Sequence, residues 1–136
     1  IRLLNEKRRP VAIARTGNEV IFEVRLNRRV KKEEGRFRID FAIDTELDMR
    51  VGWFSSDVVV SAISDQFEII FLRIPRFIHG GGRYYLTFYA TLNGNVEDYI
   101  HQAFPFDVEE GDFFGTGKSI PTSQTFIYTD HQVFSD

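Results

Sequence analysis

The feature that most restricts the fold of this chain is a two-residue alternation over residues 80–92, GGGRYYLTFYATL. Successive side chains of an extended strand point to opposite sides, so the stretch divides into two sets. The apolar set predicts a core face: Tyr84, Leu86, Phe88, Ala90 and Leu92. The other set predicts an outward face that carries rings and hydroxyls: Arg83, Tyr85, Thr87, Tyr89 and Thr91. We therefore predict one long strand and place the other segments around it.

The same alternation predicts further strands along the chain. Its inward residues are Val20, Phe22, Val24 and Leu26 in segment 19–26, and Phe37, Ile39, Phe41 and Ile43 in segment 36–44. Other predicted strands cover residues 1–5, 47–54 with a continuation over 58–63, 66–74, 99–108 and 125–128. Asn93-Gly94 is a strong signal for a tight hairpin turn after the long strand. About eight short strands without an amphipathic helix predict an all-β antiparallel sandwich.

The totals limit the classes of protein that this chain can belong to. A chain of 136 residues can bury a core without cross-links, and we assign residues 1–136 to a single domain. The absence of cysteine excludes disulfides and thiolate metal sites, and it suits a reducing compartment. A net charge of -3 argues against a general nucleic-acid binder, and no apolar run approaches membrane-spanning length. Because the sequence begins with Ile1, we expect it to be part of a longer protein.

Catalytic and nucleotide-binding motifs are not recognisable. Gly117-Lys118-Ser119 resembles the end of a phosphate-binding loop, but Asp112 occupies the position where that loop needs a glycine. An acidic residue there would repel phosphate. No serine lies in a nucleophile elbow, and the carboxylates within residues 107–110 are typical of an acidic turn, although a glycosidase pair hidden by the fold stays open. We predict no catalytic residue and no cofactor.

Metal ligation also has little support in the sequence. The three histidines share no ligand spacing: His79, His101 and His131. Asp44, Glu46 and Asp48 alternate like calcium ligands, but neither a glycine-bearing loop nor a distal glutamate follows them. We therefore predict no metal site and expect the histidines to be structural or exposed.

The outward face of the long strand is the candidate binding surface. Rings with polar edges beside hydroxyl groups suit a sugar, which offers both C–H faces and hydroxyls. The candidate residues are Tyr85, Thr87, Tyr89 and Thr91, with Arg36, Arg38 and Asp40 as hydrogen-bonding partners of a sugar or an anionic cap if their strand lies in the same sheet, and with Trp53 as a further platform. A lone tryptophan in a sandwich is more often part of the core. The alternative is a solvated or protein-binding face whose tyrosines simply favour strand geometry.

Short motifs carry a resemblance to a known family. They are Thr16-Gly17-Asn18-Glu19, the stretch GGGRYYLTFYA at 80–90, VEEGDFFGTG at 108–117, and Asp130-His131. Over nearly its whole length the chain resembles the C-terminal carbohydrate-binding domain of Wzt-type ATP-binding subunits in O-antigen polysaccharide ABC transporters. The glycine run at 80–82 and the charge cluster at 28–34 depart from the family pattern, and we expect the charge cluster to be a solvated loop.

The resemblance implies an immunoglobulin-like β-sandwich on the cytoplasmic side of the bacterial inner membrane. It implies a homodimer that recognises the nonreducing end of a lipid-linked O-antigen polysaccharide and couples chain completion to export. The membrane-embedded transporter subunits would be partners of the full-length protein, and ATP hydrolysis would belong to a separate domain.

The C-terminal tail, residues 113–136, is a candidate dimer element. Phe126, Tyr128 and Val133 are apolar and have no obvious partner in a local hairpin. Their backbone must pair somewhere, and a strand exchanged between protomers would satisfy it at low cost. We therefore expect residues 124–134 to take part in the dimer.

Overall fold

The computed structural model describes residues 1–121 and 124–136, and these residues form eight strands with one short 3-10 turn. The strands are β1 (Arg2–Leu4), β2 (Ile13–Arg15), β3 (Val20–Lys31), β4 (Phe37–Thr45), β5 (Arg50–Ser55), β6 (Gln66–Ile74), β7 (Gly82–Leu92) and β8 (Asn95–Glu109). The 3-10 turn covers Lys32–Glu34. Within the described ranges, no helix has the length and hydrophobicity needed to cross a bilayer.

The strands form two sheets that pack as a sandwich. The smaller sheet has the order β1-β3-β6, and the larger sheet has the order β2-β8-β7-β4-β5. The long strand predicted from the alternation is β7, which lies in the middle of the larger sheet. The named strand pairs are antiparallel except for β2 with β8, which are parallel. The chain crosses from the smaller sheet to the edge of the larger sheet before β2, so β2 runs in the same direction as β8. The prediction of an all-β sandwich is confirmed.

The predicted inward face of β7 lies in the core between the two sheets. Leu86 is fully buried, and Tyr84, Phe88 and Ala90 are each 2% exposed. Aromatic rings join the sheets edge to face, as where Phe22 of β3 meets Phe106 of β8 with ring centroids 5.0 Å apart. Each buried ring of this kind stabilises the fold by about 1.5–3 kcal/mol relative to an exposed one. Core packing therefore fixes which side of β7 faces solvent.

The charged residues of the cluster at 28–34 are exposed, as the sequence predicts, but residues 28–31 belong to a strand and not to a loop. Strand β3 includes residues 28–31 of the cluster and ends at Lys31. Val30 anchors this extension because it is only 4% exposed and pairs with Phe67 of β6 beyond an irregularity in the ladder. Its charged neighbours Arg28 and Arg29 are exposed.

Two predicted strands are absent from the described residues. The segment 58–63 is irregular, because β5 ends at Ser55, whose Oγ accepts the N–H of Asp57 at 3.2 Å in a local turn. Val60 in this segment is consequently fully exposed. The segment 125–128 contributes one isolated bridge, between His79 and Ile127, and no named strand.

Two of the motifs that carry the family resemblance, residues 16–19 and 108–117, lie against each other and have structural roles. Gly111 lies against the main chain of Thr16, so closely that a Cβ on Gly111 would lie 2.1 Å from the Thr16 carbonyl oxygen. Asp112 accepts the N–H of Gly117 with both carboxylate oxygens, at 3.0 and 3.1 Å. The acid that rules out a phosphate-binding loop therefore closes its own loop by a hydrogen bond.

The C-terminal tail packs against its own chain. Tyr128 is 1% exposed and donates its N–H to the carbonyl of Ile78 at 2.7 Å. The N–H of Gly80 is donated to the carbonyl of Phe126 at 2.9 Å. The expectation that the tail lacks a local partner is therefore wrong for Tyr128, while strand exchange stays a prediction. Residues 122–123 of the predicted tail lie outside the described residues.

Candidate functional site

The outward face of the larger sheet brings the sequence-predicted residues together. Strand β4 pairs directly with β7, so Arg38 lies opposite Thr91 and Asp40 lies opposite Tyr89. The condition that β4 belong to the same sheet as β7 is therefore met. Two cavities open on this face, and Tyr89 lines both of them.

The first cavity, which we call the tryptophan cavity, has a volume of about 190 Å³. Its walls include Asp40, Ala42, Arg50, Trp53, Tyr89 and Tyr99. The ring of Tyr89 meets that of Tyr99 edge to face, with centroids 5.8 Å apart. Trp53 is 48% exposed and Tyr99 is 55% exposed, so both rings are open to a ligand.

The expectation that Trp53 belongs to the core is wrong. It lies on β5, the edge strand of the larger sheet, and pairs with Ala42 of β4, which in turn pairs with Thr87 of β7. Residues directly opposite each other in a sheet share a face, so Trp53 lies on the same outward side as Thr87. The small Ala42 between them leaves room for the cavity.

The second cavity, which we call the arginine cavity, has a volume of about 360 Å³. It is lined by Arg36, Arg38, Asp57, Tyr89, Thr91 and Gly94. Arg36 Nη2 lies 2.8 Å from Asp57 Oδ2, and Arg38 Nε donates to both oxygens of Asp40 at 3.1 Å. The hydrogen bond that Arg38 donates to Asp40 raises the pKa of Arg38, so this guanidinium stays charged. The cavity therefore presents N–H donors beside carboxylate acceptors.

Thr87 and Thr91 are less accessible than the sequence suggests. Thr87 is 3% exposed; its Oγ1 donates to Asp44 Oδ2 at 2.8 Å and accepts the N–H of Gln102 at 3.0 Å. Thr91 is 7% exposed. Both lie on the outward side but are covered by neighbouring side chains, so Thr87 supports the floor of the tryptophan cavity with a hydroxyl that is already bonded.

Tyr85 lines neither cavity. It pairs with Asp44 on one side and with Pro105 on the other, nearer the end of β7 where Arg83 and Asp107 form an ion pair at 2.9 Å. Seven of the eight candidate residues therefore line the two cavities, and Tyr85 is separate from them on the same face.

A polar cluster lies beside the tryptophan cavity. Its possible ligand atoms, from Asp44, Asp48 and His101, lie within 4.8 Å of one another. His101 Nε2 is 3.1 Å from Asp48 Oδ1, an acidic partner that the sequence spacing did not indicate. Glu46 of the calcium-like triplet is not a member. Arg50 already donates to Asp44 at 3.1 Å, and Gln102 to Asp48 at 3.3 Å, so both carboxylates have protein partners.

Sequence reasoning missed Tyr99, Arg50 and Asp57. Tyr99 is opposite Tyr89 because of a register shift in β8 between the pairs at Ala90 and Thr91. The hairpin turn at Asn93-Gly94 indicates that β8 pairs with β7. A hairpin without the shift, however, would place Asp98, the residue before Tyr99, opposite Tyr89. The shift itself has no mark in the sequence.

Fold and face together define a β-sandwich whose larger sheet presents aromatic rings and paired charges to solvent. The chain is similar to the crystal structure of the C-terminal domain of Wzt, with a TM-score of 0.66 and 11% sequence identity over 99% of this chain and 80% of that chain. At this identity the likeness shows the fold, which is that of the Wzt C-terminal domain, as the sequence resemblance predicts. No protein-family model and no curated protein matches the sequence.

Proposed function

We propose that this chain is a non-catalytic glycan-binding module. It recognises the nonreducing terminus of a lipid-linked O-antigen polysaccharide and so couples completion of the polysaccharide to export by an ABC transporter. The observation that carries the proposal is the outward face of the larger sheet, where Trp53, Tyr89 and Tyr99 surround a cavity that also contains Asp40 and Arg50.

The chemistry of this face fits a sugar better than it fits a reaction. Half-exposed rings can stack on the C–H faces of a pyranose, and the bonded charges of Asp40 with Arg38 and of Asp57 with Arg36 can exchange hydrogen bonds with hydroxyls. Because the face is open and wet, we expect an affinity on the order of micromolar to millimolar.

The structural likeness to the Wzt C-terminal domain supports the transporter context. In that context the chain works on the cytoplasmic side of the bacterial inner membrane, as part of a longer protein that contacts membrane-embedded subunits. ATP hydrolysis belongs to a separate domain, and the module is a homodimer.

A second candidate function is that of a protein-interaction sandwich. It is favoured by an apolar groove of about 580 Å³ between the edge strands β5 and β6, beside the exposed Val58, Val59 and Val60. Exposed apolar surface of this kind is typical of contact sites between proteins. This candidate predicts no affinity for polysaccharide.

A calorimetric titration with purified O-polysaccharides, each with and without its terminal modification, separates the two candidates. The glycan-binding proposal predicts binding that depends on the terminal residue and weakens by about 1–3 kcal/mol in Trp53→Ala. Phe71→Ala is the matched control, because it removes a ring that is 41% exposed but lies on the smaller sheet. Failure of every polysaccharide to bind the parent chain would contradict the proposal.

A further inference from the structure

We infer that the outward face selects uncharged sugars and holds at least two adjacent residues of the glycan, one in each cavity. This inference rests on the proposed function and deepens it, because it states the class of glycan that the site accepts. Two observations carry it: the pairing of the arginines on this face and the position of Tyr89.

Each of the three arginines that line the two cavities is bonded to a carboxylate. Arg36 Nη2 is 2.8 Å from Asp57 Oδ2, and Arg38 Nη2 is 3.0 Å from Asp40 Oδ2. At the far side of the tryptophan cavity, Arg50 Nε is 3.1 Å from Asp44 Oδ1. The carboxylates are the less exposed members of these pairs, with side chains that are 25%, 8% and 2% exposed in the same order. Three cations are thus matched by three anions.

This pairing disfavours a ligand with a carboxylate or phosphate group. Such a group would approach Asp57 as closely as it approaches Arg36, and it would have to displace that acid to gain a guanidinium. A sugar hydroxyl meets no such conflict, because it both donates and accepts and can bridge an N–H and a carboxylate oxygen. The anionic cap considered from the sequence alone, as a partner of Arg36 and Arg38, is therefore the weaker alternative.

The position of Tyr89 indicates how much glycan the face can hold. Its ring lines both the tryptophan cavity and the arginine cavity, whose volumes are about 190 and 360 Å³. Each cavity is several times larger than the volume of roughly 30 Å³ that one water molecule occupies in the liquid. A glycan that fills both must pass over Tyr89, so consecutive sugar residues lie on the two sides of its ring.

An array of bacterial O-polysaccharides, with uncharged members and members that carry carboxylate or phosphate groups, tests the inference on the intact chain. We expect the parent to bind only uncharged members, with an affinity that changes by less than about twofold when the salt concentration is raised, because screening acts on charged pairs. Asp57→Asn frees Arg36, so this variant should gain binding to acidic members. Asp65→Asn is the matched control: its side chain is 95% exposed and pairs with Lys32, away from both cavities.

The possible outcomes are distinct. Binding by the parent that is confined to acidic members, with strong salt dependence, would overturn the inference and leave the proposed function in place. If the parent binds acidic members as tightly as Asp57→Asn does, the inference is also overturned. If Asp57→Asn gains no binding to acidic members, the pairing of Arg36 with Asp57 does not set the selectivity, and the inference is overturned as well. Absence of binding to every member would refute the proposed function itself, together with the inference.

A single experiment addresses the two-residue claim. For an uncharged member that binds, its terminal monosaccharide and its terminal disaccharide are titrated against the parent and against Arg36→Gln, which alters the arginine cavity alone. We expect the disaccharide to bind at least several-fold more tightly than the monosaccharide in the parent and to lose that advantage in the variant. Equal affinities for the two sugars in the parent would show that one cavity suffices.

Discussion

Side chains on the outward face divide by burial into those that hold the face in shape and those that are open to a ligand. Asp40 and Thr87 are 6% and 3% exposed, and their polar atoms are bonded to protein partners. Trp53 and Tyr99 are about half exposed. The alternation along a strand predicts the side on which a residue lies, but its depth depends on neighbours from other strands, so the sequence could not distinguish Thr87 from Tyr89.

One buried residue makes stability depend on pH. His79 is 2% exposed, and burial lowers its pKa from 6.5 to about 4. Its Nδ1 has no hydrogen-bond partner among the described residues. The unfolded chain therefore binds a proton more readily than the folded one between these values. Above pH 6.5 His79 is neutral in both states and does not reduce the free energy of unfolding. As the pH falls from 6.5 toward 4, protonation of the unfolded chain lowers the free energy of unfolding by about 3 kcal/mol.

Urea unfolding of the parent and of His79→Gln across this pH range measures the effect. The free energy of unfolding of the parent should fall more steeply with acid than that of the variant. His131→Gln, which alters an exposed histidine, should follow the parent. Parallel curves for the parent and His79→Gln would show that this imidazole does not titrate in the way we describe.

At the scale of elements, β7 and the strand over 99–108, which lies within β8, were predictable, but the register of β8 was not. The alternation of β7 continues without interruption, so Tyr84, Leu86 and Phe88 are assigned to the core from the sequence alone. Strand β8 shifts register twice against β7, between the pairs at Leu86 and Phe88 and between those at Ala90 and Thr91. The second shift places Tyr99 opposite Tyr89.

The junction between the β2 region and the loop after β8 should tolerate no side chain at Gly111. A Cβ there would lie 2.1 Å from the Thr16 carbonyl oxygen, which is backbone and cannot rotate away. We expect Gly111→Ala to lower the free energy of unfolding by about 1–3 kcal/mol or more. Gly52→Ala is the milder comparison, since its Cβ would meet side-chain atoms at 3.2–3.3 Å. If chemical denaturation showed the two variants to be equally stable, the close packing of Gly111 against the Thr16 carbonyl would be contradicted.

The tail is held to its own sandwich chiefly by Tyr128. Its N–H donates to the Ile78 carbonyl at 2.7 Å. Within the tail, its ring lies 5.4 Å from that of Phe113, and its hydroxyl donates to the Ile120 carbonyl at 2.9 Å. Tyr128→Ala should therefore destabilise the fold by about 3–5 kcal/mol. Phe134→Ala, at a position that is 84% exposed, should change stability by no more than about 0.5 kcal/mol. Equal melting temperatures for the two variants would show that the tail is not packed as described.

For the whole molecule, the sandwich architecture was predictable from the number and spacing of the strands. The oligomeric state is not fixed by the structure of one chain. The proposed homodimer predicts a dimer mass by light scattering at micromolar concentration, because the exposed Phe126, Val133 and Phe134 would be covered by a second copy. A monomer at that concentration would contradict this part of the proposal.

The proposal as a whole depends on the outward face of the larger sheet being the glycan site, and Tyr89 is its most informative residue because it lines both cavities. The most direct measurement is a titration of the parent chain and of Tyr89→Ala with the polysaccharide that binds most tightly, alongside thermal unfolding of both. We predict that Tyr89→Ala weakens binding by about 1–3 kcal/mol and changes stability by far less, since the ring is only partly buried. Unchanged affinity in a folded Tyr89→Ala would contradict the assignment of this face as the binding site.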